Sequence, residues 1–254
     1  MPQTRFTLTA VSKEKKKAFD EKIIELFQAI KNRFKHVGTF QKVITEYSKY
    51  GSFDLVDEQE PEQFAKQYLI QPLIEFLGYT IISETVISAP AGKRKPDYLI
   101  RPAGQETPVF YVEAESFNTD LTSEGHGINQ VREWLVSRAT KTDYGIATDG
   151  LKWTVVKYNP ASTKPKTIHE VNLRNIFLRL LDPTHRTLAE VDSEIEKSKI
   201  DFLNLSQEYI SHLINNYLEE VEEKKEAITK KFYNEYVKNV FGYDKKGKPI
   251  KVYA

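Results

Sequence analysis

Residues 92–117, GKRKPDYLIRPAGQETPVFYVEAESF, decide how the rest of the chain is read. Asp97–Ile100 and Val109–Ser116 are short β-branched and aromatic runs on either side of a segment containing Pro and Gly, the pattern of adjacent antiparallel strands. Side chains alternate along a strand, so Val109, Tyr111, Glu113 and Glu115 share one face, and Phe110, Val112 and Ala114 share the other. Two carboxylates therefore point the same way, with Cα atoms roughly 6.5 to 7 Å apart. A third, Asp97, opens the neighbouring strand.

Three acids converging on an apolar sheet repel one another unless a cation lies between them. An all-oxygen set suits Mg²⁺, with Mn²⁺ as a substitute, better than zinc, which prefers nitrogen and sulfur. The reaction such a centre commonly serves is phosphodiester hydrolysis. On spacing alone, a solvent-facing hairpin with alternating acids explains the stretch equally well. Lys93, Arg94 and Lys95 stand just before Asp97, placed either to meet phosphates or to form an ordinary solvated loop.

Pro96-Asp97 followed by Glu113-Ala114-Glu115 resembles the PD-(D/E)XK nuclease motif as it occurs in type IIG restriction–modification enzymes and type I restriction subunits. Stretches close to RPDYVI and VEAKS stand there where this chain has KRKPDYLI and YVEAES. Three further matches follow in the same order. EQFAKQYLIQPLIEFLGYTI resembles the opening helix of those domains, with Glu62 as the glutamate near its start. GINQVREWLVSRA is similar to the helix after the hairpin, with Gln130 and Trp134 facing the sheet. DYGIATDGLKWTVVKYN resembles the hairpin that closes the sheet. The resemblance spans roughly Pro61 to Tyr158.

It implies an α/β fold of the restriction-endonuclease kind, a mixed sheet flanked by helices. Asp97, Glu113 and the Ala114 carbonyl hold Mg²⁺; Glu115, Gln130 and Glu62 complete the catalytic set; double-stranded DNA is the partner. Each residue also has a plainer reading: Glu62 as a first-turn glutamate favoured by the helix dipole, Gln130 as a solvent-facing amide. Glu115 departs from the pattern, which has lysine there. A glutamate accepts a proton from water or binds a second metal, or else it silences cleavage, and the alternative function is then a nuclease-like module that binds DNA or protein without chemistry. Lys93, Lys95 and Lys141 are the candidates to replace the missing ammonium.

Outward from this core, Phe19, Ile23, Phe27, Ile30 and Phe34 recur at helical spacing between Ser12 and Phe34. A second helix is predicted over Phe40–Tyr50, with Gly38 and Gly51 at its ends. Pro61 suits the first position of a helix that Pro72 divides and Gly78 ends. Ile81 to Ile87 reads as the first strand, and Ile128 to Thr140 as a helix. Asp149-Gly150 marks a tight turn. HEVNLRNIFLRLL is read as a helix stopped by Pro183, and Thr187 to Phe241 as two or more long charged helices. His126 is read as an exposed loop histidine. The expected organisation is a helical extension over 1–56, a nuclease core over 57–168 and a helical connector over 169–254.

The 254 residues suffice for a sizeable core, and the net charge of +1 does not advertise a polyanion partner for the chain as a whole. The absence of cysteine fits a reducing prokaryotic cytoplasm and excludes thiolate metal sites. No apolar run approaches a membrane span, and the first residues lack a signal-peptide core. The residues hold no glycine-rich dinucleotide fingerprint, no P-loop and no Asn-Pro-Pro-Tyr methyltransferase motif. The resemblance then implies that methyltransferase and target-recognition domains lie further along a longer polypeptide, of which this is the first part, and that cutting both strands calls for transient pairing on DNA.

Overall fold

The computed structural model describes residues 11–45, 55–56, 58–82, 87–89, 92–94, 96–104, 110–137, 142–159, 162–182, 189–242, 246 and 248. Six strands form one mixed sheet: β1 (Tyr79–Ile82), β4 (Tyr98–Pro102), β5 (Phe110–Ala114), β6 (Tyr144–Thr148), β7 (Lys152–Asn159) and β8 (Ser162–Asn172), adjacent in that order. β2 (Ile87–Ala89) and β3 (Gly92–Arg94) make a separate two-stranded ribbon. The predicted hairpin is present, with Tyr98 opposite Val112, Leu99 opposite Tyr111 and Ile100 opposite Phe110. β5 and β6 are parallel, the one such pair in the sheet. A parallel pair needs a crossover, and α5 (Ile128–Ser137) lies in it.

The two faces of the sheet are covered by different elements. On one, Leu99, Tyr111, Ala147 and Val156 pack with Leu121 and with Val131, Trp134 and Leu135 of α5. Gly145 lets α5 lie directly on β6, since a Cβ there would fall 2.2 Å from Val131 Cγ1. On the other face, Trp153 meets Phe202 of α7 (Ala189–Leu203) at 5.4 Å, and Phe202 meets Phe19 of α1 (Lys13–Lys31) at 5.3 Å. Phe27 of α1 packs on Phe40 of α2 (Val37–Thr45) and on Phe177 of α6 (Arg174–Leu181). Each such fully buried ring contributes about 1.5–3 kcal/mol relative to exposure.

Local signals account for most boundaries. The Ser12 side chain accepts from the Lys15 N–H and caps α1. Pro61 opens α3 (Pro61–Ala65), and Gly78, at φ +90°, ends the helix that follows. Pro72 does divide that helix. It has no N–H to give the carbonyl four residues back, and Lys66–Ile70 widen into a π-helical turn before α4 (Gln71–Phe76), with the Gln71 N–H reaching the Lys66 carbonyl.

Three expectations are corrected. Gly38 lies inside α2, not at its end, and the further course of that helix towards Tyr50 and Gly51 lies outside the described residues. The first strand is Tyr79–Ile82, starting directly after Gly78; 83–86 are outside the described residues. Residues 169–172, read as helix, are the end of β8. His169 and Val171 pair with Val155 and Trp153, and the helix begins only at Arg174. β8 runs across residue 168, so the sheet continues beyond the expected core.

By internal packing the chain divides into one unit of residues 7–210 and another of residues 1–6 and 211–254. The second contains nearly all of α8 (Ile210–Phe241), 32 residues long, with ion pairs Lys224–Glu220 and Lys225–Glu222 along it. This agrees with the long charged helices predicted past Thr187. Among the described residues, no helix is long and apolar enough to cross a membrane.

The turn between β6 and β7 carries an ionisable group with no exposure. Asp149 Oδ1 accepts from the N–H groups of Leu151 (3.0 Å) and Lys152 (2.6 Å), while Oδ2 has no hydrogen-bond partner among the described residues. Burial pushes its pKa up to about 6. From about pH 4 to 6 the folded state then holds a proton that the unfolded state has lost, so stability falls as pH rises through that window. Two pKa units amount to about 3 kcal/mol. Urea unfolding at pH 4 and pH 7 is expected to show Asp149→Asn gaining on the wild type by up to that amount; an unchanged difference between the two proteins would refute the assignment.

Candidate active site

The register of the central hairpin builds the site. Carried one residue beyond Tyr98–Val112, it sets Asp97 opposite Glu113. Asp97 lies just before β4, and its Oδ2 accepts from the Ala114 N–H at 2.8 Å, which ties the carboxylate to the end of β5. Glu113 projects to the α5 side, as Tyr111 does, and its Oε1 accepts the indole N–H of Trp134. Tyr111 and Trp134 stack at 6.5 Å and complete the apolar wall.

Glu113 is buried beside another acid. Burial, and then the neighbouring Asp97 carboxylate, push its pKa well above the carboxylate range, against the smaller opposing effects of Trp134 and Lys66. Two acids in a low-dielectric place resist ionising together. Such a pair calls for positive charge nearby.

One cation is already beside them. Lys66, at the first position of the π-helical turn, donates to Asp97 Oδ1 and to Glu62 Oε1, the latter at 2.5 Å. Glu62 and Lys66 are four residues apart and share a helix face. Burial alone would lower the Lys66 pKa, but Asp97 and Glu62 together outweigh it and hold it above the ordinary lysine value. Sequence reading missed Lys66. The available signal was its spacing from Glu62 on a helix that leads to the sheet.

Glu115 follows the last residue of β5. Its N–H donates to the Thr148 carbonyl at 2.8 Å, continuing the parallel pairing, but its side chain turns to the loop ahead of α5. There Oε1 accepts from the Gly127 N–H at 2.9 Å, and both oxygens lie 3.3 Å from His126 Nδ1. Gly127 has φ +44°, and a Cβ would lie 2.9 Å from the Leu121 carbonyl oxygen, so this turn requires glycine. His126, half exposed, is thus a neighbour of the acids and not simply a loop histidine.

A cleft of about 380 Å³ gathers Glu62, Asp97, Glu113, Ala114, Glu115 and Gln130 along its walls. Glu133, His126 and Trp134 also line it. Every catalytic and metal-ligand candidate singled out in the sequence therefore borders one cavity. Among the described residues, however, no three carboxylate or imidazole groups stand close enough together to enclose a metal ion. The reason is visible in their partners: Lys66 holds one Asp97 oxygen, Ala114 the other, and Glu115 is spent on the loop. The side chains of Lys93 and Arg94, and Lys95 and Lys141 entirely, lie outside the described residues.

The fold and site define an α/β protein whose mixed sheet, flanked by helices, presents an acid-lined cleft. Over 209 residues, 82% of its length, the chain is 35% identical to a Methanocaldococcus jannaschii protein named "Putative type II restriction enzyme and methyltransferase RM.MjaORFECS2P". The chain spans only 17% of that relative. A chain of the cryo-EM structure of the DrdV–DNA complex is matched over 61% of this chain and 97% of that one, at 16% identity and a TM-score of 0.32, too loose a likeness to carry an argument. No family model matches the chain.

Glu115 is expected to act as a loop anchor whatever else it does. Glu115→Ala strands a buried N–H at Gly127 and should cost about 1–3 kcal/mol in urea unfolding. A change below a few tenths of a kcal/mol would show that the Gly127 contact contributes nothing.

Proposed function

We propose that the chain is the DNA-cleaving domain of a restriction–modification enzyme, a PD-(D/E)XK-type endonuclease of type IIG character that hydrolyses phosphodiester bonds with Mg²⁺. The observation that carries this reading is the juxtaposition of Asp97 and Glu113 at one cleft, in a chain with 35% identity to a protein named for restriction and methylation. In that arrangement Asp97, Glu113 and the Ala114 carbonyl would hold Mg²⁺ or Mn²⁺. The donor set is all oxygen, and the buried acid pair needs positive charge, so the residues fit the ion.

The bound metal would polarise the phosphoryl oxygen and lower the pKa of a water. The protein's own part is positional. The Ala114 N–H fixes the Asp97 carboxylate, the Trp134 indole fixes Glu113, and Tyr111 packs against Trp134 behind them. Gln130 and Glu62 line the same cleft; Gln130 would orient a water or hold a phosphate oxygen, and Glu62 would assist the metal site directly or through water. Lys93, Arg94 and Lys95 supply backbone contacts to double-stranded DNA, without base readout. Methyltransferase and target-recognition domains belong to the same longer polypeptide, and cleavage of both strands uses a transient pair on DNA.

The rival reading, a nuclease-like binding module, is favoured by the single fact that Glu115 stands in place of lysine. Plasmid cleavage in Mg²⁺ and in Mn²⁺ separates the two. The wild type should cut, and Asp97→Asn or Glu113→Gln should lose at least about 100-fold while keeping the same circular dichroism. An intact plasmid in both metals, together with no divalent-ion heat in calorimetry, would establish the binding module instead.

A further inference from the structure

Resting on the nuclease reading, we propose that Lys66 supplies the positive charge that position 115 does not: its ammonium serves the scissile phosphate from the helix side of the cleft. In the usual motif that charge comes from the strand carrying the second acid. Here the strand position is a glutamate whose carboxylate faces Gly127 and His126, so it does not carry the charge.

Three observations place the charge at Lys66. Its Nζ is bonded to Asp97 on the oxygen that Ala114 leaves open, and Asp97 stands opposite Glu113 in the hairpin register, so the ammonium sits on one member of the acid pair. Its side chain is only 10% exposed. Burying a lysine is costly unless it is paired, and tying a helix to a sheet calls for nothing more than an aliphatic side chain. Finally, Lys66 opens the π-helical turn, an irregularity that Pro72 imposes and that occurs often at functional sites.

An ion at Asp97 and the Lys66 ammonium would compete for the charge of the same carboxylate. Glu62, half exposed, bonded to the same Nζ and itself lining the cleft, gives the ammonium a second holding point on the cleft side. Glu62 is accordingly a positioning residue for Lys66.

The test compares wild type, Lys66→Met and Lys66→Gln in the full 254-residue chain, by plasmid cleavage and by calorimetric titration with Mn²⁺ in the absence of DNA. Cleavage should fall at least about 100-fold in both variants. Mn²⁺ affinity should hold or rise severalfold, because a competing cation has left Asp97. A purely structural lysine predicts the opposite pairing, with metal affinity and thermal stability falling alongside cleavage, and that result overturns the proposal. So does a variant that cuts within threefold of wild type. If Lys66→Met does not fold, Lys66→Gln decides alone. A wild type that neither cuts nor binds Mn²⁺ defeats the nuclease reading itself, whereas a wild type that cuts and a Lys66 variant that cuts equally well defeat only this inference.

Discussion

Asp97 is held at both of its oxygens, by the Ala114 N–H on one side and by Lys66 on the other, and the rest of the site takes its position from that clamp. The first bond joins the entrance of β4 to the exit of β5. The second joins the sheet to the helix over residues 61–76. A single carboxylate thereby fixes the relation of three elements, and it does so where the antiparallel register brings Glu113 across from it. Without the pairing of Tyr98 with Val112 and Leu99 with Tyr111, the acids would face each other only by chance.

The clamp also explains how so much negative charge is tolerated. Glu62, Asp97, Glu113, Glu115 and Glu133 border one cavity, yet each described contact offsets part of the repulsion. Lys66 serves two of them, an indole N–H serves Glu113, and a backbone N–H serves Glu115. Hydrogen bonds to the charged form favour ionisation, and burial opposes it. Glu113 is the residue at which burial wins, because its one neutral donor has to offset both desolvation and the adjacent Asp97.

Much of this was legible in the sequence, for local reasons. The central hairpin announced itself by alternation, and Ser12, Pro61, Gly78 and Asp149-Gly150 punctuated the chain through their own backbone preferences. What escaped was set by distant partners. Lys66 reads as a solvent-facing lysine until Asp97, 31 residues away, removes it from water. β8 opens on the polar run Ser162–Lys166, and its extended form comes from pairing along β7, so residues 169–172 were read into the helical stripe of Leu173, Ile176, Phe177 and Leu180 that follows. For Glu115, alternation predicted the correct face, but β5 ends at Ala114 and the loop ahead of α5 decides where the carboxylate goes.

The indole bonded to Glu113 has an optical consequence. The chain has two tryptophans, and they occupy contrasting places. Trp153 is sealed in the core with its N–H on the Gly150 carbonyl, a constant background. Trp134 touches the very carboxylate around which an ion or a phosphate would rearrange. The protein thus carries its own fluorophore at the cleft, and any ligand that broke this contact would change the emission of one ring without an attached label.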